Sequence, residues 1–267
     1  MVSPLGSDGS RTSVAQPRYE ISFPDSSEID EFDQDEEWCD VRIDGDTRRF
    51  RFHDYDEIYK VPGLYEQLFY DTLHCDSPRV VSALLVEAVE EADESVEELT
   101  VLDLGGGNGM VGEELERLGA ASIVGVDVIE EAAMATERDR PGVYDDYVVA
   151  DMTAMPDEAR ESLTERDFNC LTTVAALGFG DIPPEAFIEA YKMIDDDGWV
   201  AFNINEDFVG DSDSSGFSRL IDRALEDGTL DLQGKRRYRH RLSLAGEPIH
   251  YFALVARKRG ELKHTGD

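Results

Sequence analysis

The chain has 267 residues, enough for one large domain or two small ones, and its 41% hydrophobic content suits a globular protein with a sizeable core. Asp and Glu number 60 against 25 Lys and Arg, a formal net charge of -35 that repels phosphate backbones and anionic membranes. The N-terminus lacks the apolar core of a secretion signal, no stretch approaches the ~18 apolar residues of a membrane span, and Cys39, Cys75 and Cys170 are too scattered for a disulfide framework or a clustered metal site. A cytoplasmic protein with no membrane association is expected.

Residues 1–35 are rich in Ser, Pro, Gly and Asp with few aliphatic side chains to bury, which predicts a disordered acidic arm. Residues 36–76 follow as an N-terminal extension. Val41 and Ile43, then Phe50 and Phe52, alternate around Asp44-Gly45-Asp46, a hairpin signal. An aromatic segment from Tyr55 to Tyr70 comes next and is expected to act as a lid. Ser77 as N-cap and Pro78 at the first helical position open a helix carrying Val80, Val81, Leu84, Leu85 and Ala88 on one face.

The main domain is expected over residues 77–260. Apolar strands and amphipathic helices alternate through it: a strand at Val101 to Leu104, a helix at Met110 to Leu118, a strand at Ser122 to Val126, a helix at Glu130 to Arg138 and a strand at Tyr147 to Ala150. The pattern continues with a strand at Phe168 to Val174, a helix opened by Pro183-Pro184, a strand at Trp199 to Ile204, and a helix with Phe217, Leu220, Ile221 and Leu225 ended by Gly228. The last two runs, Tyr238 to Leu244 and Ile249 to Val255, are joined by a link too short for a parallel crossover and must form an antiparallel hairpin. The fold class is therefore α/β, a doubly wound, seven-stranded, mostly parallel sheet closed by a C-terminal antiparallel hairpin.

The chemistry is concentrated at three strand ends. The first carries Val101-Leu102-Asp103-Leu104-Gly105-Gly106-Gly107-Asn108-Gly109, a glycine turn that lets the backbone approach a ligand closely. The second ends in Asp127-Val128, where a carboxylate can accept two ribose hydroxyls and the valine can pack on a base. The third is followed by Asp151-Met152. The glycines alone are ambiguous, because Gly107-Asn108-Gly109-Met110-Val111-Gly112 also fits a dinucleotide fingerprint, with Asp127 placed 20 residues after Gly107. An NAD-dependent oxidoreductase is thus one alternative. Asp103 within the first strand, Asp151 after the third and the terminal hairpin weigh against it.

The loop and the two later acids resemble the motifs of the class I S-adenosylmethionine-dependent methyltransferases. The segments Pro62-Gly63-Leu64-Tyr65-Glu66, Gly142-Val143-Tyr144 and Gly178-Phe179-Gly180-Asp181-Ile182-Pro183-Pro184-Glu185-Ala186 are similar to the Williams-Beuren-type methyltransferase-like group. That resemblance implies S-adenosyl-L-methionine as cofactor, held by Asp103, Gly105, Gly107, Asn108, Gly109, Asp127, Val128, Asp151, Met152 and Val174, with Asp103 near the amino-acid moiety. It departs from the pattern at Asn169, after Phe168, where the group usually has Asp; a non-catalytic S-adenosylmethionine-binding module is the second alternative.

Open α/β sheets bind ligands at the carboxyl ends of their strands, which puts the acceptor near the loop from Val174 to Asp181. Tyr59, Tyr65 and Phe179 are the substrate-side candidates, although two of Tyr55, Tyr59 and Tyr65 are expected to serve only in packing. No general base stands out. Asp181 is the candidate, against a reading as a helix cap or solvated turn. The histidines His53, His74, His240, His250 and His264 show no paired ligand spacing, so no metal is expected.

A small-molecule acceptor is expected, and nucleic acid is not. The one basic run, Lys235-Arg236-Arg237-Tyr238-Arg239-His240-Arg241, reads as strand arginines paired with acidic neighbours or with a second copy in a homodimer. Scarce lysine and acidic helix faces, as at Glu87, Glu90, Glu91, Asp93, Glu94, Glu97 and Glu98, resemble proteins from extreme halophiles, where salt screens the self-repulsion.

Overall fold

The computed structural model describes residues 17–24, 36–177, 181–206 and 216–263. The first unit is an antiparallel sheet of β1 (Glu20–Ser22), β2 (Trp38–Ile43) and β3 (Asp46–Arg51) in that order. Asp44 and Gly45 link β2 to β3 with φ of 52° and 94°, the paired positive values of a two-residue hairpin turn. β1 corrects the expectation of disorder throughout 1–35: Tyr19, Ile21 and Phe23 alternate and pack on the hairpin's core. Residues 1–16 and 25–35 lie outside the described residues.

Helix α1 (Tyr55–Tyr59) and a π-helical turn (Glu66–Thr72) follow, and with the small sheet they enclose Val41, Phe50, Phe52, Ile58, Leu64 and Leu68. Helix α2 (Ser77–Glu91) then enters the main domain. Its cap position is Asp76, one residue before the predicted Ser77. The Ser77 hydroxyl is engaged elsewhere, with the Tyr238 hydroxyl and His240 Nδ1 at 2.6 Å each.

The main sheet contains β4 (Thr100–Leu104), β5 (Ser122–Asp127), β6 (Asp146–Val149), β7 (Phe168–Thr173), β8 (Ile194–Asn205), β9 (Leu230–Leu242) and β10 (Pro248–Lys258). Their order is β6-β5-β4-β7-β8-β10-β9. The first five are parallel, and β10 runs antiparallel between β8 and β9, as the short final link required. Helices α3 (Met110–Leu118), α4 (Glu130–Asp139), α5 (Asp157–Thr164), α6 (Pro184–Lys192) and α7 (Phe217–Glu226) make the crossovers.

Strand alternation divides the core between the two faces. Leu102 and Leu104 face Leu163 of α5, Phe187 of α6 and Leu220 of α7. Val101 faces Val81 and Leu85 of α2 and Leu115 of α3. Helix α5 was not predicted. Its sequence buries only Leu163, too little to make a helical period visible. Among the described residues no helix is long and apolar enough to cross a membrane.

The winding reverses between β4 and β7, which opens a crevice beyond the carboxyl ends of those strands. The N-terminal unit closes over it. Tyr59 packs on Ala132 and Ala135 of α4, Leu242 N–H donates to the Leu73 carbonyl at 2.7 Å, and buried Arg241 of β9 pairs with buried Glu37. Within the basic run of β9, Arg236 also pairs with Glu87 and Arg237 with Glu206, while Lys235 lies over the Phe252 ring.

Candidate active site

The glycine loop leaves β4 and is pinned from several sides. Gly105 and Gly106 N–H groups donate to the Val126 carbonyl at 2.8 and 3.2 Å, and Gly107 N–H donates to Asp127 Oδ2 at 3.0 Å. The Gly107 carbonyl in turn accepts from Thr136 Oγ1 and from the Tyr147 hydroxyl, both at 2.8 Å. Gly107 has φ of 52°, and a Cβ there would stand 2.7 Å from the Tyr59 hydroxyl oxygen. Glycine is required here both by the left-handed backbone and by close approach of the tyrosine.

The loop borders a cavity of about 400 Å³, within the range of small-ligand sites. Gly105, Gly107 and Asn108 form one wall, with Asp127 ending β5 and Val128 after it, Asp151 and Met152 beyond β6, and Val174 beyond β7. Asp127, the last residue of β5, lines the cavity. Its two oxygens accept from Gly107 and Ile129 N–H groups, each at 3.0 Å. Burial raises its pKa and those backbone donors pull it down. Val128 beside it is 62% exposed, a large apolar side chain left open at the cavity rim. The Asp151 carboxyl is held below its ordinary value by the hydroxyl and N–H of Thr153, at 2.7 and 2.8 Å.

Two predicted residues are not in the cavity wall. Asp103 shares the face of Val101, so its side chain turns under the loop, where it accepts from the Tyr144 hydroxyl at 2.6 Å and Thr172 Oγ1 at 2.7 Å. Burial pushes its carboxyl up to about 6. Gly109, with φ of 87°, precedes α3 and faces Val143, Arg140 and Thr136 rather than the cavity. Phe179 lies outside the described residues. Asn169 is at the amino end of β7, away from the crevice, where it accepts from Thr100 N–H and donates to the Glu98 carbonyl, both at 2.8 Å.

The opposite wall comes from the N-terminal unit. Tyr55, Tyr59, Tyr65 and Tyr70 all line the cavity. Their rings also pack as one connected cluster: Tyr55 stacks on Tyr59 at 6.3 Å, and Tyr65 lies 5.0 Å from Tyr59 and 6.1 Å from Tyr70. Burial raises the pKa of all four phenols and keeps them neutral.

His53 completes this wall, with Nδ1 3.1 Å from Asp181 Oδ1. Asp181 is not the cap of α6, a position held by Pro183; it is an exposed residue in the bend before that helix, with its carboxylate on His53. No sequence pattern marked His53, which stands 128 positions from its partner. Beyond His53, Tyr55, Tyr65 and Ala175 a side chamber of about 50 Å³ opens onto Cys75, His240, Arg241 and Tyr251. Burial, assisted by the Arg241 charge, pushes His240 down to about 3, so its imidazole is neutral. No cluster of three or more potential metal-ligating side chains occurs among the described residues.

Residues 102–202 match a family described as a methyltransferase domain. Over 119 residues the chain is 33% identical to the mitochondrial ubiquinone biosynthesis O-methyltransferase of Candida albicans, covering 42% of this chain and 34% of that protein. The chain thus spans about a third of the length of that curated relative. Its structure is similar to an S-adenosylmethionine-dependent methyltransferase from Clostridium acetobutylicum, with a TM-score of 0.51 and 13% identity over 74% of this chain and 97% of that one. It is also similar to the magnesium protoporphyrin IX methyltransferase of Synechocystis PCC 6803 with bound S-adenosylmethionine, with a TM-score of 0.47 and 13% identity over 68% and 79%.

Proposed function

We propose that this chain, whose residues 102–202 match a family described as a methyltransferase domain, binds S-adenosylmethionine and transfers its methyl group to a small-molecule acceptor. The observation that carries the reading is Asp127, a half-buried carboxylate held by backbone N–H groups at the edge of a cavity of about 400 Å³. Each carboxylate oxygen there accepts one backbone hydrogen bond and keeps capacity for another, which suits a pair of vicinal ribose hydroxyls.

The residues present fit the cofactor. Exposed Val128 offers an apolar face for the adenine, Asp151 and Met152 border the same end, and the loop from Gly105 to Asn108 provides close backbone approach for the amino-acid end. Bound there, the cofactor supplies an electrophilic methyl on a sulfonium. The protein's part is to hold it, to exclude water with the tyrosine wall, and to align an acceptor; alignment alone is worth ~7–11 kcal/mol in favourable cases.

A small acceptor agrees with the roof that the N-terminal unit lays over the cavity, and with the biosynthetic O-methyltransferase name of the Candida albicans relative. The alternatives are not favoured. Asn169, which motivated a non-catalytic module, stands at the far end of its strand. The dinucleotide reading meets a sheet that ends in an inserted antiparallel strand.

Calorimetric titration of S-adenosylmethionine tests the assignment. Saturable binding is expected, weakened ~10–100-fold by Asp127→Asn, because hydrogen bonds to a charged group contribute ~1.5–3 kcal/mol. A folded protein that binds NADH and not S-adenosylmethionine would overturn it.

A further inference from the structure

We infer that His53 is the general base for a phenolic hydroxyl acceptor and that Asp181 is its positioning residue, an inference that rests on the methyltransferase reading above. Three observations converge. His53 and Asp181 line the same cavity as the glycine loop and Asp127, they are joined at 3.1 Å, and the wall around them is a cluster of aromatic rings. The two residues come from different units, His53 from the segment after β3 and Asp181 from the segment before α6, so the pair exists only when the N-terminal unit is docked.

A hydrogen on Nδ1 donated to Asp181 puts the lone pair of the neutral ring on Nε2, so the carboxylate fixes the tautomer as well as the ring's orientation. Such a ring suits a particular class of proton. Imidazole bases, at ~6.5, are matched to phenols, at ~10; thiols, at ~8.5, supply much of their own anion, and neutral amines attack through an existing lone pair. An oxygen of phenolic type is the acceptor atom for which this base matters most.

The proton balance is simple. The acceptor oxygen forms a bond to the methyl carbon as the carbon–sulfur bond breaks, the bonding pair goes to sulfur, and the hydroxyl proton passes to His53 Nε2. The product is a neutral ether and a neutral thioether, with one proton on the imidazole to return to solvent.

Size and ring chemistry agree with this acceptor. Tyr55, Tyr59 and Tyr65 line the main cavity with aromatic side chains, a surface suited to a planar ring. The side chamber, at about 50 Å³, is smaller than the ~150 Å³ that accommodates benzene, so it admits a small substituent and not the ring itself. Among the described residues His53 meets Asp181 and Tyr55, and Tyr65, Tyr251, Cys75, His240 and Arg241 line the side chamber with it, so a pH profile reports on all of them together.

The test uses the full chain with labelled S-adenosylmethionine, and phenol, catechol, 4-nitrophenol, thiophenol and aniline as probes. Calorimetry comes first: absence of cofactor binding overturns the methyltransferase reading and this inference with it. Given binding, His53→Ala is expected to lower kcat on phenol ~10²–10⁴-fold with unchanged cofactor affinity. Added imidazole should restore part of that rate, and 4-nitrophenol, already largely ionised, should lose less than ~10-fold. The variant's pH profile should climb toward the phenol's own ionisation where the wild type levels off. Asp181→Asn should lower kcat more than KM, and Asp181→Glu should recover it. Nitrogen NMR of the imidazole, in protein loaded with the demethylated cofactor, should show Nδ1 protonated in the wild type and not in Asp181→Asn. No transfer to either unactivated phenol despite cofactor binding, equal losses on phenol and 4-nitrophenol, or an Asp181→Asn spectrum identical to wild type would each overturn the inference alone.

Discussion

Replacing Asp103 by Asn should remove a pH dependence that the wild-type fold carries in its core. The Asp103 side chain is 1% exposed, and burial raises its carboxyl from 3.8 to about 6 despite the Tyr144 and Thr172 hydroxyls that favour the charged form, with Asp127 adding repulsion. A raised carboxyl means that the native state binds this proton more tightly than the unfolded chain. Stability from this group is therefore complete below pH ~4, falls as pH rises toward ~6, and is lost above it, a swing of about two units at ~1.4 kcal/mol each, or ~3 kcal/mol. Asn has no such transition, and its carbonyl oxygen can still accept from one hydroxyl. Every other carboxylate is common to both proteins, so the difference between them isolates this group. Denaturant unfolding in concentrated KCl at several pH values, followed by tryptophan fluorescence, should show the stability of Asp103→Asn relative to wild type rising by ~2–3 kcal/mol between pH 4 and pH 7. A difference constant within ~0.5 kcal/mol over that range would refute the assignment of a protonated, buried Asp103.

Gly107→Ala places a methyl 2.7 Å from the Tyr59 hydroxyl and keeps a left-handed φ, so it should lower thermal stability and weaken cofactor binding more than ~10-fold; adding Tyr59→Phe should remove the contact and leave only the ~1–2 kcal/mol backbone cost. Glu37→Gln should cost ~3–5 kcal/mol in denaturant unfolding because it leaves buried Arg241 without its charge partner, whereas an apolar replacement of both residues should cost much less. Raising KCl should raise the unfolding temperature steadily, since the screening length falls from ~10 Å at 0.1 M to ~3 Å at 1 M and the chain carries a net charge of -35. A flat or falling salt curve would count against the halophilic reading of the composition.

Much of this was legible because it depends on local pattern. The glycine turn between β4 and α3, the acids ending β5 and following β6, and the hairpin required by the four residues after Leu244 are all set within a few positions of one another. What was not legible depends on sparse or distant contacts. β1 has three residues, and α5 buries one leucine, so neither gives a period to read. Asp103 was expected beside the ligand because the resemblance to the methyltransferase motif implied it. Alternation with Leu102 and Leu104 directs it to the other face of β4, and the tyrosine that meets it arrives from 41 positions away. Ser77 read as a cap by residue type alone, but tertiary partners in β9 claim its hydroxyl.

The same distinction explains why the two halves of the site differ in how they can be recognised. Asp127, the glycine loop and Asp151 all fall within residues 102–202, the stretch that matches the methyltransferase-domain family, as expected where a family shares one cofactor problem. His53 and the four tyrosines precede that stretch. They reach the cavity only because the N-terminal unit is fastened to β9 and α4 through Glu37–Arg241, Leu73–Leu242 and the packing of Tyr59 on Ala132 and Ala135. On the proposed function, a ligand common to a superfamily leaves a local motif, while an acceptor particular to this chain would be read by side chains that docking alone brings together. Weakening the docking contacts should therefore impair methyl transfer before it impairs cofactor binding. Glu37→Gln assayed for both at a temperature where it remains folded separates the two, and parallel losses would show that the N-terminal unit supports the cofactor pocket instead of the acceptor.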